Sequence, residues 1–191
     1  SHRVLADYAD KKNIQLTPKS STGKKVAIIG AGPAGLNAAY HLALMGYSVT
    51  IYEAADKFGG MLRLAIPEFR LPASIVDNEF SILEKLAVNF ELGKKVGRDI
   101  TISDLAKMYD AVFIGVGAGK PKKMGIPGED LRGVMQALPF LYKVKNREIK
   151  EITGKVWIIG GGDVAMDAAR TALRLGASQV KIMYRRSRAE M

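Results

Sequence analysis

The sequence predicts an α/β fold made of two strand–turn–helix–strand units with parallel strands, the second of them incomplete. Each unit opens on a short apolar run, at 24–29 and at 155–159, that is typical of a buried parallel strand. A glycine-rich turn and a segment with helical spacing follow each run. The units match at a constant offset of 130 residues, as Gly46 and Gly176 do, which indicates two copies of one supersecondary pattern.

Apolar spacing and turn residues predict the other elements. In the first unit a helix over 33–45 stops at Gly46, a natural C-cap, and a strand follows over 48–52. Residues 1–23 are polar and predict an N-terminal linker. Between the units the pattern predicts a loop at 59–61 and then a helix, a strand, a helix, a strand and a helix, over 74–86, 88–92, 102–108, 111–114 and 138–145.

Composition excludes several kinds of function. The chain of 191 residues has no cysteine, which removes disulfides, thiolate metal sites, iron–sulfur clusters and thiol redox chemistry from it, and its two histidines are too few for a histidine metal site. The formal charge of +10 suggests nucleic acid, but the basic residues are scattered and anionic cofactors explain the excess equally well, so we expect no nucleic-acid partner. No apolar run reaches the roughly 18 residues that span a bilayer, and we expect a cytoplasmic protein without membrane contact.

The first glycine-rich turn carries the G-x-G-x-x-G pattern of Rossmann-like dinucleotide-binding units and consists of Gly30, Ala31, Gly32, Pro33, Ala34 and Gly35. Its first glycine makes the tight turn, its second lets the backbone approach a pyrophosphate, and its third lets the helix pack on the strand. The start of the helix offers unpaired N–H groups to the phosphates. Glu53, at the end of the second strand, is placed to accept hydrogen bonds from a ribose diol. The structural alternative is a packing motif with a solvated strand end.

The second glycine-rich turn consists of Gly160, Gly161, Gly162, Asp163, Val164 and Ala165, with the alanine that the pattern allows in third place. One extra residue precedes its second strand, so Tyr184 stands where Glu53 does, and Arg185 and Arg186 follow. Arginines can make bidentate, charge-assisted contacts with a 2′-phosphate, which favours NADP(H), although they could be a solvated strand end. The charge of Asp163 is unfavourable for a pyrophosphate unless the side chain caps the helix, and the sequence leaves both readings open.

Five motifs extend the pattern beyond these turns. In chain order they are GAGPAGL at 30–36, GGMLRLAIPEFRLP at 59–72, AVFIGVGAGKPKKMGIPGED at 111–130, GGGDVAMDAARTALRLGA at 160–177 and YRRSR at 184–188. Together they resemble the small (β) subunit of glutamate synthase and its relatives. Those relatives include the flavin halves of dihydropyrimidine dehydrogenase and of the transhydrogenase that couples NADH, NADPH and ferredoxin. The resemblance covers residues 3–191.

The resemblance implies an FAD-binding domain over 24–150 and, inserted into it, an NAD(P)H-binding domain that begins at 154–191. The first glycine-rich turn would hold the FAD pyrophosphate, and Glu53 would hold its ribose. The residues that the resemblance places near the flavin are Gly60, Met61, Leu62, Gly117 and Ala118.

The second turn, with Arg185 and Arg186, would hold the nicotinamide cofactor. Hydride would pass from nicotinamide C4 to flavin N5, and electrons would leave singly through iron–sulfur clusters. Because the cofactors carry this chemistry and the protein positions them, we expect no catalytic acid, base or nucleophile. A partner subunit, such as the large subunit of glutamate synthase, decides the final acceptor, which stays open among glutamate synthesis, pyrimidine reduction and ferredoxin-linked transhydrogenation.

Two departures from the family pattern shape the remaining expectations. Relatives carry an N-terminal cysteine-rich domain with iron–sulfur clusters, and this chain has no cysteine. The second unit also stops short of a nucleotide-binding half with three strands. We therefore expect a fragment of a longer NAD(P)H-dependent flavoprotein oxidoreductase that is inactive alone. The alternative is a non-catalytic flavin- or nucleotide-binding module that serves assembly or sensing.

Overall fold

The computed structural model of the protein describes residues 17–187. Its strands are β1 (Lys25–Ile29), β2 (Ser48–Tyr52), β3 (Asn89–Glu91), β4 (Ala111–Ile114), β5 (Lys155–Ile159) and β6 (Gln179–Met183). Its helices are α1 (Pro33–Leu44), α2 (Met61–Leu64), α3 (Ala73–Lys85), α4 (Ile102–Met108), α5 (Ala137–Lys145) and α6 (Asp163–Arg174). None of these helices, the longest of which has 13 residues, could cross a membrane.

The chain divides into two compact units. The first comprises the described residues up to Asp56 together with Ser81–Gly115, and the second comprises Lys57–Phe80 together with the described residues from Val116 onward. The predicted domains, 24–150 and 154–191, are defined by the cofactors that they would bind, and they stay a prediction. By its contacts, Lys57–Phe80 clusters with the residues from Val116 onward.

The first unit contains a parallel sheet of four strands in the order β3-β2-β1-β4. Ile28 of β1 lies between Ile51 of β2 and Phe113 of β4. Neighbouring residues on a strand point to opposite faces, and both faces of β1 are covered. Ala27 and Ile29 pack with Leu105 of α4 on one face, and Ile28 approaches the start of α1 on the other. A strand buried on both faces needs a continuous apolar run, and β1 has one from Val26 to Ile29. In β2 the buried run from Val49 to Tyr52 is interrupted by Thr50.

The second unit contains a parallel pair, β5 and β6, joined by α6. Helix α6 contacts both strands and also packs against α5. Its buried face is made of small residues, including Ala168, Ala169 and Ala172. On β5, Trp157 is 54% exposed and Ile159 is 57% exposed. The apolar run that the sequence shares between β1 and β5 is therefore buried only in the first unit.

The α/β fold class is confirmed, and so are the strands predicted over 48–52, 111–114 and 155–159 and the helix over 102–108. The predicted loop at 59–61 is wrong at its last residue, because Met61 begins α2. That helix has only four residues, too few to show apolar periodicity in the sequence.

The end of the predicted linker lies against α1. Residues 1–16 of that linker are outside the described residues. The Lys19 N–H donates to the Leu44 carbonyl at 2.9 Å, and the Thr22 N–H donates to the Gly46 carbonyl at 2.9 Å. Residues 17–23 form neither helix nor strand, yet they supply partners for carbonyl groups at the end of the helix that would otherwise depend on water.

Candidate functional site: two glycine-rich turns

The first turn links the carboxyl end of β1 to the start of α1. Gly30 has a φ of +101°, which favours glycine, and its N–H donates to the Tyr52 carbonyl of β2 at 2.8 Å. Gly32 is the N-cap of α1, and Pro33 is its first residue. Since Gly32 has no side chain to accept hydrogen bonds, the N–H groups of the first helical turn are available to an external anion.

Position 35 requires glycine, because its backbone packs against Gly30, the first glycine of the turn. A Cβ at this position would lie 1.9 Å from the Gly30 carbonyl oxygen and 3.1 Å from Ile28 Cγ2. The backbone of Gly35 in turn faces Gly115, where a Cβ would lie 3.2 Å from the Gly35 nitrogen. The close approach of helix and strand expected for the third glycine is therefore present.

The Glu53 carboxylate connects the first turn to the end of β2. Its Oε2 accepts a hydrogen bond from the Ala31 N–H at 2.7 Å, and its Oε1 accepts one from the Ala55 N–H at 2.8 Å. The side chain is half-buried rather than a fully solvated strand end. A carboxylate oxygen can accept more than one hydrogen bond, so both oxygens keep lone pairs for a ribose diol.

The second turn repeats the backbone geometry with different side chains. Gly160 has a φ of +125°, and its N–H donates to the Met183 carbonyl of β6 at 2.9 Å. Tyr184 follows β6, as the sequence predicts, and its ring lies over Gly161, where a Cβ would be 2.8 Å from the ring carbon Cδ2. Arg185 and Arg186 come next and are exposed.

Asp163 is not the cap of its helix, because Gly162 is the N-cap of α6 and Asp163 is the first helical residue. Arg70 is the ion-pair partner of Asp167 and also attracts Asp163: its pKa is raised, first by the hydrogen bond to Asp167, then by attraction to Asp167 and last by attraction to Asp163. A negative charge at the first turn of a helix is also stabilised by the helix dipole. The helix dipole therefore favours an acidic residue at the first position of α6.

Arg70 and Asp167 form an ion pair that sequence reasoning missed. Arg70 Nη1 lies 2.7 Å from Asp167 Oδ2, with the Asp167 side chain only 6% exposed. The other oxygen of that carboxylate, Oδ1, is buried and has no hydrogen-bond partner within residues 17–187. The available signal was an acidic residue on the small-residue face of α6, four positions after Asp163. The partner 97 positions away could not be found from spacing.

A cavity of about 200 Å³ in the second unit brings predicted residues together. Met61 and Ala118, expected near the flavin, line it with Val164, expected at the nicotinamide cofactor, and with Asp167. Gly60 and Leu62 flank Met61 at the start of α2, and Gly117, with a φ of +67°, precedes Ala118. The other predicted residues do not line this cavity. Gly160, Gly162, Asp163, Arg185 and Arg186 also belong to the second unit, whereas Gly30 to Gly35 and Glu53 belong to the first.

Comparison with known proteins identifies the family of the chain. Residues 24–190 match the family model described as "Pyridine nucleotide-disulphide oxidoreductase". The chain belongs to this family. It is 49% identical to the β subunit of an NADP(+)-dependent formate dehydrogenase from Moorella thermoacetica over 178 residues, which are 92% of the chain and 25% of that protein. It is 40% identical to the small chain of glutamate synthase [NADPH] from Escherichia coli (strain K12), over 89% of the chain and 38% of that protein.

Structural comparison supports the same fold. The chain matches the structure of FprA from Mycobacterium tuberculosis in complex with NADPH, with a TM-score of 0.73 and 24% identity. The match covers 86% of the chain and 44% of FprA. The resemblance to glutamate synthase small chains that the five motifs predict is confirmed. The chain spans 25% and 38% of the two curated relatives named above.

Proposed function

We propose that this chain supplies the cofactor-binding part of an FAD-dependent pyridine-nucleotide oxidoreductase of the glutamate synthase small-subunit type. In this proposal hydride passes from NADPH to FAD, and electrons continue to a partner subunit or to iron–sulfur clusters. The observation that carries it is the pair of turns with the same backbone geometry and different residues at the strand end. Glu53 closes one turn, and Tyr184, Arg185 and Arg186 follow the other.

The first turn fits FAD. The helix start formed by Gly32, Pro33, Ala34 and Gly35 presents N–H groups to a pyrophosphate, and the turn at Gly30 has no side chain to obstruct it. The Glu53 carboxylate, fixed by the Ala31 and Ala55 N–H groups, would accept hydrogen bonds from the ribose of the same cofactor.

The second turn fits NADPH. Gly160, Gly162, Asp163 and Val164 form the corresponding start of α6. No carboxylate occupies the position of Glu53, and two exposed guanidinium groups follow at Arg185 and Arg186. Guanidinium groups bind a phosphate dianion through paired hydrogen bonds, whereas a carboxylate would repel it.

The cavity of the second unit is lined by Met61 and Ala118, which the family resemblance assigns to the flavin, and by Val164, which it assigns to the nicotinamide cofactor. The bound flavin and nicotinamide supply the hydride-transfer chemistry. The chain supplies a half-satisfied carboxylate, since Arg70 holds Asp167 Oδ2 while Oδ1 lacks a partner among the described residues. A buried acceptor of this kind is costly unless a ligand donor satisfies it, so we assign Asp167 to orienting a bound ring amide.

The names of two relatives support the choice of NADPH as the nucleotide and the presence of a partner subunit. The formate dehydrogenase relative is named as NADP(+)-dependent, and the glutamate synthase relative carries NADPH in its name. The first is a β subunit and the second a small chain, so both work within larger assemblies. We extend this to a partner subunit for the present protein.

The test is anaerobic reduction of the purified full-length protein. We expect it to hold FAD, and we expect NADPH to bleach the flavin absorbance band faster and at lower concentration than NADH. A protein that binds FAD and NADPH but whose flavin is not reduced would favour the non-catalytic binding module. A protein that holds no flavin would contradict the assignment of the first turn.

A further inference from the structure

The second unit contains another cavity, of about 480 Å³, which we call the larger cavity. It is lined by residues of α5, of α6 and of the segment 65–69 that follows α2. Within residues 17–187, its lining includes none of the residues assigned above to FAD or NADPH. Its volume falls in the range of small-molecule sites, roughly 300–1,000 Å³. The larger cavity is therefore big enough for a ligand of its own.

The lining of the larger cavity combines an apolar wall with an excess of positive charge. The apolar side chains include Pro67, Phe69, Leu141, Val144 and Leu175. The charged side chains in the described part of the chain are Lys145, Arg147, Arg174 and Glu68. Three cations therefore line the cavity with one carboxylate. This excess favours an anion, and the wall favours an apolar body on it.

Lys145 is the most buried of the three cations. Its side chain is 17% exposed, and its Nζ donates a hydrogen bond to the Ile66 carbonyl at 2.7 Å. Glu68 Oε2 lies 3.9 Å from Nζ, too far for a hydrogen bond, on a side chain that is 63% exposed. Burial lowers the pKa of Lys145, because desolvation disfavours the ammonium ion. An ammonium group has three donors, so an anion in the cavity would satisfy those that the Ile66 carbonyl leaves unused.

Arg147 has a backbone conformation that favours glycine. Its φ is +62°, and it directly follows Asn146, the C-cap of α5. The Arg147 N–H donates to the Val144 carbonyl at 2.9 Å, which closes the helix end. Glycine is the usual residue at this position, because a side chain there costs conformational free energy. A guanidinium group thus lines the cavity from a position where the backbone favours glycine, and it has no ion-pair partner among the described residues.

Two residues of α6 add to the polar lining. The Arg174 guanidinium carbon lies 3.9 Å from the centroid of the Phe69 ring, a cation–π contact that restricts its position. Thr171 is 4% exposed, and its Oγ1 has no hydrogen-bond partner within residues 17–187. A buried hydroxyl of this kind costs free energy unless a ligand or a water molecule satisfies it. Helix α6 therefore contributes a restrained cation and an unsatisfied hydroxyl group to the lining.

We propose that the larger cavity binds a small organic anion that joins a carboxylate to an apolar body. The carboxylate would lie against Lys145, Arg147 and Arg174, whose charged groups make strong hydrogen bonds with carboxylates. The apolar body would lie on the wall of the cavity and displace water from it. Inorganic phosphate fits less well, because it has no apolar surface for that wall. This site goes beyond the proposed function, which depends on the two glycine-rich turns.

The experiment uses the full-length protein and measures the binding of phenylbutyrate by calorimetry. The amide of phenylbutyrate keeps the apolar body without the charge, whereas acetate and inorganic phosphate keep the charge without the body. The variants are K145M and R147G. K143M is the matched control, because Lys143 is an exposed lysine of α5 that does not line the cavity. The melting temperature of each variant checks that it is folded, and its NADP⁺ affinity checks that the change is confined to the larger cavity.

We expect phenylbutyrate to bind with saturation, and the amide, acetate and phosphate to bind at least about tenfold more weakly. K145M should weaken phenylbutyrate about tenfold or more, in line with the loss of a hydrogen bond to a charged group. R147G should weaken it about threefold, as for an exposed ion pair, yet raise the melting temperature, because glycine adopts the positive φ without strain. K143M should bind like the wild type, and every variant should keep its NADP⁺ affinity.

Three results would overturn the proposal. The first is no saturable binding of phenylbutyrate, or equally strong binding of its amide or of inorganic phosphate. The second is wild-type affinity for phenylbutyrate in both K145M and R147G, and the third is an equal loss of NADP⁺ affinity in these variants. If K145M does not fold, R147G decides, because its substitution suits the backbone. A wild-type protein that binds phenylbutyrate but not NADP⁺ supports this site and contradicts the proposed function, so the two failures are distinguishable.

Discussion

The two units of this chain contain the same turn in different surroundings. In both, the first glycine donates its N–H to the last residue of the neighbouring strand, at 2.8 Å from Gly30 to Tyr52 and at 2.9 Å from Gly160 to Met183. Yet β1 lies inside a sheet of four strands, while β5 pairs only with β6 in the described part of the chain. The geometry of the turn therefore depends on the local sequence, whereas the burial of the strand depends on its neighbours.

This difference in burial predicts that the same substitution lowers the stability of the two strands by different amounts. Ile28 of β1 is fully buried, and its counterpart Ile158 on β5 is half-buried. We expect I28A to cost about 2–5 kcal/mol, the range for emptying a packed core position. I158A should cost about 1 kcal/mol, because less apolar surface is exposed by the change. Hydrogen exchange of the β1 and β5 amides in the full-length protein measures both, and equal losses would show that the two strands are equally packed.

The third position of each turn offers a second, smaller contrast. Gly35 has no room for a Cβ, whereas Ala165 occupies the same position of the second turn, and a Cβ on Gly160 would lie 3.5 Å from its methyl group. We expect G35A to lower the FAD affinity about a hundredfold, because overpacking of 1–3 kcal/mol would move the helix start away from the turn. A165G should leave the bound flavin unchanged. Fluorescence of released FAD reports both, and full retention by G35A would refute the packing argument.

Removing the charge of Glu53 should lower the affinity for FAD by a smaller factor than G35A does. E53Q keeps one acceptor oxygen and the side-chain volume but loses the charge that strengthens its bond to the Ala31 N–H. We expect FAD affinity to fall about tenfold, in line with the loss of one hydrogen bond to a charged group. Glu91, exposed on β3, provides the control variant E91Q, which should bind FAD as the wild type does. An unchanged affinity in E53Q would indicate that the carboxylate only braces the turn.

The smallest expected effect concerns Tyr52 and Met183, whose carbonyl groups accept the hydrogen bonds from the first glycines of the two turns. Burial and then a hydrogen bond to Tyr109 raise the pKa of Tyr52 from 10.0 to about 12, whereas its counterpart Met183 does not titrate. The unfolded chain loses the Tyr52 proton first, so this residue contributes stability below pH 10 that is lost as the pH rises toward 12. The stability of Y52F should fall less steeply across that interval. Urea unfolding at a series of pH values tests this, and parallel curves would contradict it.

Much of this architecture could be predicted from the sequence because its signals are local. The turns need glycine for steric reasons, and the strands that they follow are uninterrupted apolar runs. The tight turn at Gly30, the close packing at Gly35 and the position of Glu53 at the end of β2 could therefore be predicted. The bounds of β2 and of α4 followed from apolar spacing.

The features that could not be predicted depend on contacts between distant residues. The Arg70–Asp167 pair spans 97 positions, and nothing in either segment names its partner. Tyr184 and Gly161, which are in contact, lie closer together in the sequence. The glycine pattern accepts any residue in the second place of the turn, so it does not indicate which side chain contacts that residue. The exposure of Trp157 and Ile159 likewise reflects the number of neighbouring strands and not the composition of β5.

We propose that the matched turns bind different cofactors, FAD at the first and NADPH at the second. Anaerobic titration of the full-length protein with NADPH, in wild-type form and with Arg185 and Arg186 replaced by alanine, tests it most directly. We predict that NADPH reduces the flavin of the wild type. The double variant should keep its FAD and lose NADPH affinity about a hundredfold, with little change for NADH, as expected for two lost phosphate contacts. Equal losses for NADPH and NADH, or loss of the flavin itself, would contradict this assignment of the two turns.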